Sequence, residues 1–270
     1  MSVHIQNTRM TTTRIRQMKG VEKITMLTSY DFTLARLVDE AGVDILLVGD
    51  SASNIVCGNQ YTLPIKLDEM IFLTKGVVRA AQHALVVADM PFGSYQVNDD
   101  EAVANAIRVL KESGADAVKL EGGEDVAPAI RRMVRAGVPV CGHLGLMPQS
   151  VNQFGGYGLR AKQEAEAAQL LKDAKLLDEA GCFCIVLEKI PAALAAEVTA
   201  AVSCPTIGIG AGVATDGQVL VLHDMLGLNE GFKPKFLRQF AHLAEPIHEA
   251  VGNYVTSVKE ASFPSAEESY

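Results

Sequence analysis

Several features are scarce in this chain of 270 residues, and each absence argues against a class of protein. Tryptophan is absent and only 6% of the residues are aromatic, so a carbohydrate-binding platform built on indole rings is excluded. No apolar run approaches the roughly 18 residues that a transmembrane helix needs, and we expect no membrane partner. The net charge is −8. Since nucleic-acid binders carry basic surfaces, we expect no nucleic-acid partner either.

Cysteine is present without the spacing of a metal site or a disulfide framework. The chain has five cysteines, and none forms a C-x-x-C pair. Most of them lie in apolar runs, which indicates small buried side chains in a reducing compartment. They are Cys57, Cys141, Cys182, Cys184 and Cys204.

The first twenty residues are basic, which is faintly similar to an organelle transit peptide. They contain Arg9, Arg14, Arg16 and Lys19 and no acidic residue. An apolar signal-peptide segment is missing from this stretch. We therefore expect a cytoplasmic protein.

What the chain does contain is a repeated unit of helix, Ala-Gly or Ser-Gly, and a short apolar strand that ends in a polar residue. The clearest strand covers 43–48 and stops at Gly49-Asp50-Ser51; its continuous apolar run is typical of a strand buried on both faces. Further strands are predicted at 24–29, 85–89, 117–121, 138–144, 184–188, 206–210 and 218–222. Helices are predicted at 32–40, 67–81, 99–113, 126–136, 161–180, from 191 onward, and from the last strand to the polar tail at 262.

Eight strands alternating with helices over about 250 residues predict a (β/α)8 TIM barrel of the α/β class. We expect one domain over 1–270, with an N-terminal helix covering the bottom of the barrel and flexible segments at 1–12 and 265–270. The alternative is a doubly wound open sheet, which lacks support because no dinucleotide fingerprint follows the first strand.

Carboxylates stand at the ends of four predicted strands, where parallel α/β folds bind ligands. Because alternate side chains of a strand share a face, we expect Leu46, Val48 and Asp50 to point together. The same alternation aligns Leu85 and Val87 with Asp89, Lys119 with Glu121, and Val186 with Glu188. Four carboxylates would then meet at the mouth of the barrel.

Such a cluster needs compensation, because like charges at short range raise one another's pKa. Lys119 and a divalent cation would supply it, and oxygen ligands without cysteine favour Mg²⁺. Simpler interpretations stay open: each acid could cap a helix or pair with a surface lysine, and Lys119 could form an ion pair with Glu121. His143 could be a hydrogen-bonded core histidine, and Ser51 could cap a turn.

Two other motifs have two interpretations each. The glycine-rich stretch 208–212 could cradle a phosphate with its backbone amides or form a tight turn. The stretch 152–157, Asn-Gln-Phe-Gly-Gly-Tyr, could be a mobile lid or a structural loop.

Six motifs together make the sequence similar to the ketopantoate hydroxymethyltransferase family, over about Thr13 to Pro264. They are Thr28-Ser29-Tyr30-Asp31, Leu47-Val48-Gly49-Asp50-Ser51, Ala88-Asp89-Met90-Pro91-Phe92, Val118-Lys119-Leu120-Glu121-Gly122-Gly123, the stretch 141–150 from Cys141 through His143 to Ser150, and Ile207-Gly208-Ile209-Gly210-Ala211-Gly212.

The resemblance implies a Mg²⁺-dependent enzyme of pantothenate biosynthesis, with one Mg²⁺ per subunit. It would transfer a hydroxymethyl group from 5,10-methylenetetrahydrofolate to 3-methyl-2-oxobutanoate, giving 2-dehydropantoate and tetrahydrofolate. It implies a homo-oligomer, often a decamer.

The resemblance also implies roles for particular residues. Asp50 and Asp89 would be metal ligands, with Glu121 beside them through water. Ser51 and Lys119, with Asp50 and Asp89, would bind the 2-oxo acid. Glu188 would be the general base and His143 a neighbour of the metal.

One departure and two alternatives accompany this resemblance. The family usually follows Gly-Asp-Ser with an apolar residue, Gly and Met, whereas Ala52-Ser53-Asn54 follows here. The nearest alternative is a Mg²⁺-dependent lyase or mutase of the phosphoenolpyruvate mutase/isocitrate lyase type, which would turn over without folate. The other is a non-catalytic barrel that binds a metabolite or serves as an assembly subunit.

Overall fold

The structure, a computed structural model, describes residues 9–231 and 233–270. Its centre is a closed parallel barrel in which each strand pairs with the next and β8 pairs with β1. This confirms the (β/α)8 barrel and rules out the open sheet. The strands are β1 Ile24–Thr28, β2 Ile45–Val48, β3 Leu85–Asp89, β4 Ala117–Glu121, β5 Val140–Gly145, β6 Cys184–Glu188, β7 Thr206–Ile209 and β8 Gly217–Leu220.

Helices separate most of the strands, and their ends follow local capping rules. The side chain of Asp31 accepts hydrogen bonds from the backbone N–H groups of Thr33 and Leu34 at a helix N-terminus. Gly114 ends another helix at φ 81°, in the left-handed region that glycine tolerates. The helices are α1 Thr12–Gln17, α2 Phe32–Glu40, α3 Ala52–Ile55, α4 Leu67–Ala80, α5 Asp99–Ser113, α6 Ala127–Arg135, α7 Val151–Phe154, α8 Glu164–Ala180, α9 Ala192–Ala201, α10 Leu222–Met225 and α11 Ala244–Lys259.

The chain forms two compact units, one ending at Leu220 and one from Val221 to Tyr270. In the second unit the prediction of continuous helix after the last strand is wrong. Between α10 and α11 the described residues form neither helix nor strand. The backbone N–H of Phe240 donates to the carbonyl of Met225 at 2.8 Å, and that of Leu243 donates to the carbonyl of Leu226 at 3.0 Å. These hydrogen bonds hold the segment against the end of α10.

The predicted flexible ends fall partly outside the described residues. Residues 1–8 lie outside them, and α1 begins at Thr12. At the other end a short 3₁₀ helix covers Ala266–Glu268.

The barrel interior is apolar at its N-terminal end, and α1 closes it there. Ile15 of α1 is fully buried and packs in one cluster with Ile24, Ile45, Phe183 and other inward side chains of the strands. A separate apolar cluster lies between the outer faces of the strands and the surrounding helices. The polar residues at the mouth therefore lie above a barrel interior that is filled with apolar side chains, as in other (β/α)8 barrels.

The alternation predicted for β2 is wrong, whereas that of β3, β4 and β6 agrees with the structure. Ile45 and Leu47, not Leu46 and Val48, belong to the interior cluster. The strand ends at Val48, so the period of two does not extend to Asp50. Asp50 reaches the mouth through the turn that Gly49 begins, not through the pleat of the strand.

Candidate active site

Lys119 lies at the centre of a buried polar group at the mouth of the barrel. Its Nζ is 2.5 Å from Oδ1 of Asp89 and 3.3 Å from Nδ1 of His143. Strands β3, β4 and β5 place these side chains side by side, because Asp89 is in register with Lys119 and Lys119 with Cys141, two residues before His143. The three residues are each at most 3% exposed. A simple Lys119–Glu121 pair does not describe this arrangement.

His143 connects the lysine to two further carboxylates. Its Nδ1 is 3.5 Å from Oε1 of Glu121, and its Nε2 is 3.3 Å from Oε2 of Glu188. His143 is thus part of the acidic group and not an isolated core histidine.

Asp50 joins the group from the turn after β2. Its backbone N–H donates to Oδ2 of Asp89 at 3.1 Å, and its own Oδ2 accepts from the side-chain amide of Gln149 at 3.0 Å. The backbone N–H of Gln149 also donates to Oε2 of Glu121 at 3.0 Å. Sequence reasoning gave Gln149 no role, although it stands in the quoted stretch after β5; its position directly after Pro148, past a strand end, was the available signal.

Ser51 lies at the edge of the group and contacts Tyr30. The two hydroxyl oxygens are 2.8 Å apart. Gly49 makes room for this, because a Cβ at that position would lie 2.8 Å from the Ser51 hydroxyl oxygen.

Ala52-Ser53-Asn54, where the sequence departs from the family pattern, forms the start of α3. Two of these residues make hydrogen bonds within the loop that follows. Ser53 donates to the carbonyl of Tyr61 at 2.8 Å, and Asn54 donates to the carbonyl of Asn59 at 2.9 Å. The side chain of Asn59 returns a bond to the Ser53 hydroxyl at 3.1 Å. These residues therefore give the loop its own set of hydrogen bonds.

Burial and like charge dominate the electrostatics of the site. Burial, followed by the charges of Asp89 and Glu121, raises the pKa of Asp50 to about 8. Burial also raises the pKa of Asp89, against the opposing effect of Lys119. For Lys119 burial acts to lower the pKa, but the carboxylates of Asp89, Glu121 and Asp50 outweigh it and raise the value.

The pKa of His143 moves in the same direction as that of Lys119. Burial and the neighbouring lysine act to lower it, while the contacts with Glu121 and Glu188 raise it to about 9. Four carboxylates face one lysine and one histidine here, so a further cation would stabilise the ionised forms of the carboxylates.

The donor set fits a magnesium ion held by two carboxylates. Mg²⁺ in enzymes often takes one or two carboxylates and completes its shell with water and substrate oxygens. Asp50 and Asp89 offer such a pair, and the buried Oε1 of Glu121 makes no hydrogen bond. Over residues 9–231 and 233–270, no three His, Cys, Asp or Glu side chains form a complete metal cage.

The other sequence motifs have structural explanations. In 208–212, Gly210 and Gly212 have positive φ and no helix begins there within the described part of the chain, which favours a tight turn over a phosphate cradle. The stretch 152–157 is anchored, since the Lys189 ammonium donates to the carbonyl of Tyr157. The Arg160 guanidinium lies 3.8 Å from the centre of the Phe154 ring.

Four of the five cysteines are buried, as expected; Cys57 is exposed. No helix among the described residues is long and apolar enough to cross a membrane.

Fold and site together define a (β/α)8-barrel enzyme with an acid–lysine–histidine centre at the carboxyl ends of its strands. The sequence profile of the family described as ketopantoate hydroxymethyltransferase matches residues 9–266. The chain belongs to the ketopantoate hydroxymethyltransferase family.

Curated relatives match over nearly the whole chain and carry one name. A 3-methyl-2-oxobutanoate hydroxymethyltransferase of Porphyromonas gingivalis is 59% identical over 263 residues, covering 97% of this chain and 96% of the relative. Enzymes with the same name from Bacteroides fragilis and Salinibacter ruber are 57% and 58% identical, with 97% of this chain and 96% and 99% of the relatives covered.

Solved structures with a similar fold are much more distant in sequence. Phosphoenolpyruvate phosphomutase from Streptomyces platensis subsp. rosaceus superposes with a TM-score of 0.62 at 13% identity, covering 93% of this chain and 88% of that one. A 2,3-dimethylmalate lyase gives 0.59 at 18% identity, covering 94% and 89%. At such identities the likeness shows the fold alone.

Proposed function

We propose that the protein transfers a hydroxymethyl group from 5,10-methylenetetrahydrofolate to 3-methyl-2-oxobutanoate. The products are 2-dehydropantoate and tetrahydrofolate, and a water molecule supplies the oxygen of the new hydroxyl. The observation that carries this proposal is the 59% identity over 97% of the chain to an enzyme named for this transfer. The fold alone does not choose the reaction, because lyases and mutases share it.

The site residues divide into cation ligands, substrate holders and a base. Asp50 and Asp89 would hold Mg²⁺, with Glu121 beside them. When bound, the cation would supply Lewis acidity toward the oxygens of the 2-oxo acid. Lys119 and Ser51 would hold the carboxylate and carbonyl oxygens of the substrate.

Glu188 is the proposed general base. It is the last residue of β6, at the mouth, and its side chain is 17% exposed against 3% for those of Asp89 and Glu121. It would accept the proton from C3 of the 2-oxo acid, so that C3 can form a bond to the one-carbon unit. His143 faces Glu188 at 3.3 Å and would hold its carboxylate toward the substrate.

Glu188→Gln tests the base directly, because the amide keeps the shape of the side chain but cannot accept a proton. We expect exchange of the C3 proton with deuterated water to fall by about 10²–10⁴-fold, while the 2-oxo acid still binds. NMR would follow the exchange, and calorimetry would follow the binding. Exchange at the native rate would show that Glu188 is not the base.

Two further measurements separate this reaction from the alternatives. Product formation that requires methylenetetrahydrofolate fits the transferase, whereas cleavage of a 2-oxo acid without folate would indicate a lyase. Titration with MgCl₂ should show binding to the unaltered protein and none to Asp50→Asn or Asp89→Asn. A protein that binds the 2-oxo acid without proton exchange or Mg²⁺ would indicate a non-catalytic barrel.

We further propose a cytoplasmic homo-oligomer, with a decamer as the expected state. The support is the family relationship. Sedimentation of the full chain tests it: a decamer would have ten times the 28.8 kDa mass of one chain, and a monomer at micromolar concentration would contradict it.

A further inference from the structure

We propose that Gln149 is a positioning residue that orients Asp50 and Glu121 toward the bound cation. This inference rests on the proposed function, because it assumes that Asp50 is a ligand. Gln149 belongs to the short 3₁₀ helix Pro148–Ser150 just beyond β5, and it is 5% exposed.

The residue contacts both acids through different atoms. Its side-chain Nε2 donates to Oδ2 of Asp50 at 3.0 Å, and its backbone N–H donates to Oε2 of Glu121 at 3.0 Å. Asp50 and Glu121 come from positions 71 residues apart and are thus tied to a single residue. Any shift of Gln149 would move both carboxylates.

The orientation of the Gln149 amide is determined by its neighbours. Nε2 also donates to the carbonyl of Met90 at 3.0 Å, and a carbonyl can only accept. On the other side Oε1 accepts from the Tyr95 hydroxyl at 2.7 Å and from the Gln96 amide at 3.1 Å. The two donors and the carbonyl of this amide are all in use, so its orientation is fixed.

Tyr95 connects Gln149 to the backbone at the end of β4. Its hydroxyl accepts from the backbone N–H of Glu121 at 3.1 Å while donating to Gln149. Glu121 is therefore held at its backbone by Tyr95 and at its side chain by Gln149. Since Gln149 donates only to Oδ2 of Asp50, Oδ1 is left to bind the cation.

Partners that orient metal ligands typically change metal affinity by about 10–100-fold when they are removed. Gln149→Met keeps the length and volume of the side chain and removes the donors of the amide. We expect its affinity for Mg²⁺ to fall by about tenfold or more in calorimetric titration of the metal-free protein with MgCl₂. Tyr95→Phe, which removes only the hydroxyl, is the second variant, and we expect a smaller loss of the same sign.

Thr74→Val is the matched control. Thr74 is fully buried and donates one side-chain hydrogen bond to the carbonyl of Met70 within α4. Its loss should lower the melting temperature without changing the affinity for Mg²⁺.

The outcomes separate this inference from the proposed function. If the unaltered protein does not bind Mg²⁺, the proposed function fails. If it binds Mg²⁺ and the folded Gln149→Met and Tyr95→Phe variants bind within threefold of it, Gln149 is only a packing residue and the inference fails. If Gln149→Met does not fold, unchanged affinity of Tyr95→Phe overturns it.

Discussion

At the scale of single residues, the site brings together buried carboxylates whose like charges destabilise the folded chain. Asp50, Asp89, Glu121 and Glu188 face one lysine and one histidine within a buried group. Such a concentration of one sign is unfavourable for folding and useful for binding a cation. The metal-free protein should therefore gain stability when one of these charges is removed.

Asp50→Asn tests this. The pKa of Asp50 rises from 3.8 to about 8, so between these values the folded chain holds a proton that the unfolded chain has lost. The contribution of this group to stability consequently falls as the pH rises from 4 to 8. We expect Asp50→Asn to be more stable than the unaltered protein at pH 8 in EDTA, by roughly 1–3 kcal/mol, because one pKa unit is about 1.4 kcal/mol and the charges are coupled.

Urea unfolding at pH 5 and pH 8 measures the effect. The two proteins should differ more at pH 8 than at pH 5. An equal difference at both values would mean that Asp50 does not titrate in this range.

At the scale of elements, short polar links set where strands begin and end. Asp39 in the last turn of α2 is 2% exposed and accepts hydrogen bonds from the backbone N–H groups of Gln82, His83 and Ala84, just before β3. Burial acts to raise the pKa of Asp39, but these hydrogen bonds outweigh it and lower the value. The link holds α2 to the start of the strand that carries Asp89.

Asp39→Asn should weaken this link, because the amide accepts less strongly and brings two donors toward other donors. We expect a loss of about 2–3 kcal/mol in the free energy of unfolding at pH 7. Since the pKa is lowered in the folded state, the stabilisation is present above pH 3.8 and is lost as the pH falls through the folded value. Equal stability of the two proteins at pH 7 would contradict the assignment.

Gly145, at the end of β5, controls the position of Glu188. It has φ 96°, and a Cβ there would lie 2.3 Å from the carbonyl oxygen of Glu188. Gly137 is the matched control, with φ 89° and no atom within 4 Å of such a Cβ. Both changes to alanine impose the left-handed strain of about 1–2 kcal/mol, but only Gly145→Ala should also displace Glu188.

Proton exchange at C3 and thermal unfolding separate the two effects. We expect Gly145→Ala to lose exchange activity by at least tenfold, and Gly137→Ala to keep it while losing only the about 1–2 kcal/mol of left-handed strain. Equal activity in both variants would show that β6 adjusts to the added carbon.

At the scale of the whole molecule, α1 closes the apolar floor on which the site stands. Ile15 is fully buried among the inward side chains of the strands. Ile15→Ala should cost about 2–5 kcal/mol of stability in urea unfolding. Val21, which is 84% exposed, provides the control, since Val21→Ala should change stability by less than about 0.5 kcal/mol.

The sequence predicted the fold well because the same signal repeats in it. Strands β3, β4 and β6 and helices α2 and α5 have the predicted bounds, since the strands are short apolar runs that end in an acid and the helices have a helical period with a clear end signal. The second unit was predicted poorly, because α10 is four residues long and too short to show a helical period. The site was predicted as a set of residues but not as a set of contacts.

Two parts of the site depended on tertiary structure. Asp50 was correctly predicted to lie at the mouth, but the predicted cause, the alternation of side chains along β2, was wrong. The turn at Gly49 interrupts that alternation. Gln149 and Tyr95 were missed, because an uncharged side chain beyond a strand end is a much weaker signal of a site than a carboxylate at that end. Only the closed barrel brings residue 149 next to residue 50.

The backbone around Glu188 is tightly held, which indicates which parts of the site could be altered to change substrate selectivity. Lys189 has φ 45°, the carbonyl of Glu188 accepts from the backbone N–H of Leu146 at 2.8 Å, and the Lys189 N–H donates to the carbonyl of Ile209 at 2.8 Å. The end of β6 carries the proposed proton acceptor and is hydrogen-bonded on both sides, so it tolerates little adjustment, whereas the segments 51–64 and 146–160 consist of loops and short helices. Engineering toward bulkier oxo acids should therefore begin in those segments and leave the end of β6 untouched.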